Sequence, residues 1–109
     1  MNLVSQYAPN QTVIETNDSI YLQSYKSIVA RYDKQGEYVH LGVDWDYSRT
    51  TLKYLKRFLV QVNPCLASNG ENYSKYNLSK KDIVNALEHS WLIGMNISKD
   101  NPQAHYEKA

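Results

Sequence analysis

The chain has 109 residues, 42% of them hydrophobic and 21% charged, which fits one globular domain and excludes a disordered or collagen-like chain. No apolar run approaches the ~18 residues of a membrane span, and the first residues lack the basic and apolar regions of a secretory signal, so a cytoplasmic protein is expected. The net charge is +1, but it is polarised: net −3 over residues 1–48, +6 over 49–81 and −2 over 82–109.

The first half predicts strands. Residues 1–11 are ambiguous, since Leu3, Val4 and Tyr7 would also suit one helical turn. Thr12–Glu15 is a short β-like run, and Asn17-Asp18 punctuates it as a turn. Runs at Ile20–Tyr25 and Ser27–Tyr32 follow, then a turn at Asp33-Lys34-Gln35-Gly36 and a last run at Tyr38–Val43. Alternation puts Val39, Leu41 and Val43 on one face of that run, with Tyr38 and His40 on the other. The connections are too short for parallel crossovers, so a three- to four-stranded antiparallel sheet is predicted.

The second half predicts helices. Ser48 is a good N-cap, and Leu52, Leu55, Leu59 and Val62 recur at helical spacing with Phe58 beside them. Asn63-Pro64 ends that helix. A polar loop is expected over 65–78. Ser79-Lys80-Lys81-Asp82 then reads as a capping box, and Ile83, Leu87 and Trp91 mark a second apolar face, ending at Gly94 or Asn96. The whole is an α+β domain over residues 1–98, with two helices packed on one face of the sheet. Residues 99–109 form a polar tail expected to fray.

Catalytic and metal patterns are weak. His40, His89 and His105 lie far apart in sequence, and Cys65 has no cysteine partner, so no metal site and no cofactor is expected. The single cysteine forms no internal disulfide and suits a reducing compartment. Asp44 and Asp46 share a face of an extended segment, where they would act as acid and base, bind a cation, or simply favour the start of the next helix. No nucleophile elbow or phosphate-binding glycine loop occurs, so an enzyme is not expected.

The basic middle carries more information. Lys53, Lys56 and Arg57 line one side of the first helix, with Arg49 a turn earlier, Tyr54 beside them, and Lys80 and Lys81 opening the second helix. Cations interleaved with an aromatic suit phosphate contact or a partner surface; a solvated helix face is the plainer alternative. Ten tyrosines against one phenylalanine suit a half-buried sheet or a protein-binding face.

The segment Trp45-Asp46-Tyr47-Ser48-Arg49-Thr50-Thr51-Leu52-Lys53-Tyr54-Leu55-Lys56-Arg57-Phe58-Leu59, preceded by Ser24-Tyr25-Lys26-Ser27-Ile28-Val29-Ala30, resembles a small domain in proteins of bacteriophages and plasmids of Gram-positive bacteria. The likeness covers about residues 20–59, and Tyr54 stands where histidine is commoner. Physically the motif is structural: Trp45 and Tyr47 should pack at the sheet–helix junction, Ser48 caps, and Thr50 and Thr51 serve the first helical turn. The resemblance implies an accessory protein that binds a host defence complex, most concretely one similar to an anti-CRISPR inhibitor of a type II CRISPR nuclease with its guide RNA. Acidic surface would mimic nucleic acid, and basic surface would meet guide RNA or acidic protein. The alternative is a small nucleic-acid-binding regulator using the first helix.

Overall fold

The computed structural model describes residues 2–63, 78–92 and 95–108. The expected 65–78 loop, Cys65 and the Gly94 helix end lie outside these residues, apart from Leu78, which is buried. The fold is α+β: a seven-stranded mixed sheet with three helices among the described residues.

In chain order the elements are β1 (Leu3–Ala8), β2 (Gln11–Glu15), β3 (Ser19–Ser24), β4 (Ser27–Asp33), β5 (Tyr38–Leu41), α1 (Arg49–Val62), α2 (Lys80–His89), β6 (Trp91–Leu92), β7 (Met95–Lys99) and α3 (Pro102–Lys108). The sheet order is β1-β2-β3-β4-β5-β7-β6. Strands β1 to β5 form an antiparallel meander, close to the predicted one. The expected three or four strands become seven because β1 replaces the ambiguous helical turn and the chain returns after α2 to add β6 and β7. β7 runs parallel to β5. A parallel neighbour requires a long crossover, and the segment carrying α1 and α2 supplies it.

The two expected helices share one face of the sheet, and the third takes the other. Leu55, Phe58 and Leu59 of α1 and Ile83 and Ala86 of α2 join Val13, Leu22, Val39, Leu41 and Ile97 of the sheet in the main core. On the opposite face, Ile14, Tyr21 and Ile28 pack against Tyr106 of α3. Regular alternation breaks at one point in β4. The β3–β4 register slips between Leu22 and Gln23, so Val29 and Ala30 both join the main core.

The tail expected to fray is instead anchored. Gln103 accepts a hydrogen bond from the Ile28 N–H at 2.8 Å, and Tyr21 and His105 share one at 2.7 Å. Tyr106 meets Tyr21 edge-on at 4.9 Å between ring centres. Pro102 lies against Gly42, where an added Cβ would stand 3.4 Å from both the proline ring and the Ile28 carbonyl. Composition had pointed to a loose tail, but the apolar surface left on the back of the sheet captures it.

Both expected caps form. Ser48 accepts from the Thr51 N–H at 3.1 Å, and α1 ends at Asn63. Ser79 and Asp82 make the reciprocal capping box at 3.1 and 2.9 Å. Those bonds hold the Asp82 carboxyl below its ordinary pKa. The second helix stops earlier than predicted, because Ser90 takes a left-handed conformation (φ 57°) and turns the chain into β6. Trp91, expected on the helix's apolar face, therefore sits in an edge strand and is 54% exposed.

Candidate functional site

Two surface features gather the residues singled out in the sequence. The first is a groove of about 670 Å³ between the β3–β4 turn and the start of α1. Its walls include Tyr25, Lys26, Asp44, Tyr47, Thr50 and Thr51. Ser24 pairs with Ser27, so Tyr25 and Lys26 alone make the turn. Tyr25 has φ 57°, the left-handed region in which glycine is favoured and a bulky residue is strained. The turn is held by the Tyr25 N–H donating to the Asn10 carbonyl at 2.7 Å and by Gln23 Nε2 donating to the Tyr25 carbonyl at 2.9 Å. The Tyr25 ring itself remains half exposed.

Facing it is the Trp45–Ser48 segment. Packing of both Trp45 and Tyr47 at the sheet–helix junction needs an extended segment, but residues 43–46 form turns, so the two rings diverge. Trp45 is buried in the main core, whereas Tyr47 is 77% exposed on the groove wall. Val43, expected on the same face as Val39 and Leu41, follows the end of β5 and is exposed for the same reason. The hydroxyls beneath are fixed. Ser48 Oγ donates to Thr51 Oγ1 at 3.2 Å, and Thr51 Oγ1 lies 3.0 Å from Ser24 Oγ, with Ser24 and Thr51 both buried. Thr51 thus pins α1 to β3 and does not serve a free N–H of the first turn. Thr50 is exposed on the groove wall.

Gln11 pairs with Ser24 in the β2–β3 ladder and is 1% exposed. Neither of its amide atoms has a hydrogen-bond partner among the described residues. Sequence reasoning missed this residue, since nothing in Asn10-Gln11-Thr12 marks a buried amide.

The second feature is the basic helix. Arg49 and Lys53 are exposed, while Lys56 and Arg57 are partly covered. The Arg57 guanidinium lies over the Tyr7 ring at 4.2 Å, and Tyr7 stacks on Tyr54 with ring centres 6.1 Å apart and planes 17° from parallel. Lys53 Nζ lies 5.2 Å from the Tyr54 ring centre, and Tyr7 Oη donates to Gln61 Oε1. The aromatic interleaving seen along the sequence is therefore a pair of stacked rings with a cation on each, completed by a strand-β1 tyrosine that the sequence could not place there.

The basic residues are not free of acids, as their sequence neighbourhood had implied. Asp46 pairs with Lys80 at 3.3 Å, which ties the motif loop to the start of α2. The charges of Lys81 and Lys56 add to the Ser79 bonds in lowering the Asp82 pKa. Asp44 lines the groove, and Asp46 pairs with Lys80. Among the described residues no cluster of three or more histidine, cysteine or acidic side chains could hold a metal, and no helix is long and apolar enough to cross a membrane.

On the opposite face the His40 ring stacks on Tyr38 at 4.6 Å, with Nδ1 3.5 Å from Asp100 Oδ2. Burial, aided by the Arg31 charge, pushes the His40 pKa below its ordinary value, against the opposing pull of Asp100.

No curated protein and no solved structure matches the chain. One family does, over residues 1–85, a span that takes in β1 to β5, α1, the groove and the stack but stops short of β6, β7 and α3. On that match the chain belongs to the family of unknown function DUF8033.

Proposed function

We propose that this is a binding protein that acts without catalysis, by seating a partner macromolecule against the groove between the β3–β4 turn and α1. The observation that carries this reading is the pair of exposed tyrosines, Tyr25 and Tyr47, on the walls of a groove whose floor is immobilised by the Ser48–Thr51–Ser24 hydroxyls. Aromatic rings held at the rim of a rigid concavity supply large contact area at little entropic cost, the usual composition of an interface hot spot. The strained turn that presents Tyr25 supports it, because a tyrosine stands where the backbone favours glycine.

The partner proposed is a host defence complex inside a bacterial cell, most concretely a type II CRISPR nuclease loaded with guide RNA. The phage- and plasmid-like W-D-Y-S motif supports that choice, and Lys26 and Asp44 on the groove walls offer both charge signs to a protein–RNA surface. The test is a pull-down with the nuclease–guide complex and a DNA-cleavage assay at excess protein. Cleavage should fall, and Tyr25→Ala with Tyr47→Ala should restore it. Undiminished cleavage rejects the nuclease as partner.

The cation–ring stack favours a second reading, a nucleic-acid-binding regulator. Arg49 and Lys53 would meet phosphates, and Tyr54 would border the contact. Arg57 is engaged with Tyr7, so the informative variants are Arg49→Ala and Lys53→Ala. Each should weaken binding across sequences and lower the salt slope by about 1. No binding to DNA or RNA at low salt removes this reading.

A further inference from the structure

On the reading that the groove is the binding site, we infer that its occupant is a protein segment, selected by an amide–amide pair with Gln11. The register of the sheet places that residue. Gln11 stands opposite Ser24 in the β2–β3 ladder, and directly opposed residues send their side chains to the same face. Val13, two residues on, joins Leu55 and Phe58 of α1 in the main core, so that face is the one α1 covers. There Ser24 shares a hydrogen bond with Thr51, and both line the groove, as does Asn10. The Gln11 amide is therefore aimed at the groove floor, beside Ser24.

Its hydrogen-bonding capacity is unspent. Gln11 is 1% exposed, and neither amide atom has a partner among the described residues. The hydroxyls beside it are also one bond short. Ser48 spends its proton on Thr51 Oγ1, and the Ser24–Thr51 contact spends one of the remaining protons. One buried O–H is left over, on Ser24 or on Thr51. Burying such groups without partners costs stability. A cost placed at a binding groove is the mark of residues that serve a ligand.

Donor and acceptor together select that ligand. A phosphate or carboxylate only accepts, so it would set an oxygen against the Gln11 carbonyl. A cation would leave the NH2 group unmet. An amide carries N–H and C=O side by side and satisfies both in one cyclic pair. Base edges do so too, but they arrive on a phosphate backbone. Lys26 and Asp44 are the charged side chains on the groove walls, and their signs cancel, so a polyanion gains nothing there. A protein segment meets both conditions, with its apolar parts against Tyr25 and Tyr47. Glutamine is long and unbranched, so its amide can turn to meet the entering group.

The test selects displayed random peptides on the full chain and measures the enriched ones by fluorescence anisotropy. Wild type should enrich peptides, and Gln11→Met should weaken them about tenfold or more, because it strands the peptide's amide. Gln11→Met should still melt cooperatively, at or above the wild-type temperature, which separates lost binding from lost folding. In heteronuclear spectra the Gln11 NH2 signals should move downfield as peptide is added, a response that a purely structural amide does not give. Equal binding by Gln11→Met, or Gln11 signals that stay in place, overturns the proposal, as does a selection that enriches nothing on wild type. Peptides that bind equally well after Tyr25→Ala and Tyr47→Ala sit elsewhere, and overturn the groove itself as the binding site.

Discussion

Thr51→Val tests the polar pin between helix and sheet. Valine matches threonine in shape, so packing against the core is kept and only the hydroxyl is lost. Thr51 is 1% and Ser24 4% exposed, so Ser24 Oγ would be left buried without its partner. A buried hydroxyl stripped of its bond costs about 1–3 kcal/mol. Ser48 still accepts from the Thr51 N–H, so the N-cap itself survives. A loss near 2 kcal/mol is expected, and at roughly 4–8 °C per kcal/mol for a domain of about this size Tm should fall by about 10 °C. Ser24→Ala alone should cost less, because Thr51 Oγ1 retains Ser48. The double variant should be no worse than Thr51→Val, giving a coupling energy of about 1 kcal/mol in a double-mutant cycle. Urea unfolding of the four proteins measures this. Strict additivity, or a Thr51→Val cost below about 0.5 kcal/mol, as at a neutral surface site, would refute the pin.

Four further outcomes follow from the geometry. Tyr25→Gly should raise stability by about 1 kcal/mol by relieving the left-handed turn, yet abolish partner binding; a loss of stability would show that the ring's packing outweighs the strain. Gln11→Met should stabilise by about 1 kcal/mol or more, read by thermal melting, since it replaces an unpartnered buried amide with an apolar chain of similar size. His40 titrates lower in the folded state than its unfolded value of 6.5, so the unfolded chain binds more protons on acidification. Its contribution is present above pH 6.5 and is lost as the pH falls through the lower folded value; His40→Phe should flatten that part of the stability–pH curve. Tyr21→Phe should cost about 1 kcal/mol and raise amide exchange across α3, because it removes the bond to His105; unchanged exchange would mean that Tyr106 packing alone holds the helix.

Much of the architecture was legible because its causes are local. The strand runs of β2 to β5, the Ser48 cap, the Asn63 stop and the Ser79–Asp82 capping box depend on residues within a few positions of one another. The basic helix was legible too, but its setting was not. Tyr7 reaches Arg57 across fifty positions, and Asp46 reaches Lys80 across more than thirty. No periodicity signals such pairings. Tyr47 was misplaced because an i, i+2 argument holds only on an extended backbone, and the chain turns there. β6 was lost inside a predicted helix because two residues carry no period, and β7 because its five residues show little more than Met95 and Ile97 alternating.

Sequence alone determined where β2 to β5 and the caps of α1 and α2 would form, because hydrogen bonding and side-chain alternation act over a turn or a single strand. Tertiary structure alone decided that the chain returns to set β7 beside β5, that α3 covers the back of the sheet, and that Tyr25 and Tyr47 flank one groove. Those outcomes follow from which apolar surfaces remain uncovered once the local elements exist. Burial of that surface is non-directional and depends on the assembled shape, so no short stretch of residues encodes it.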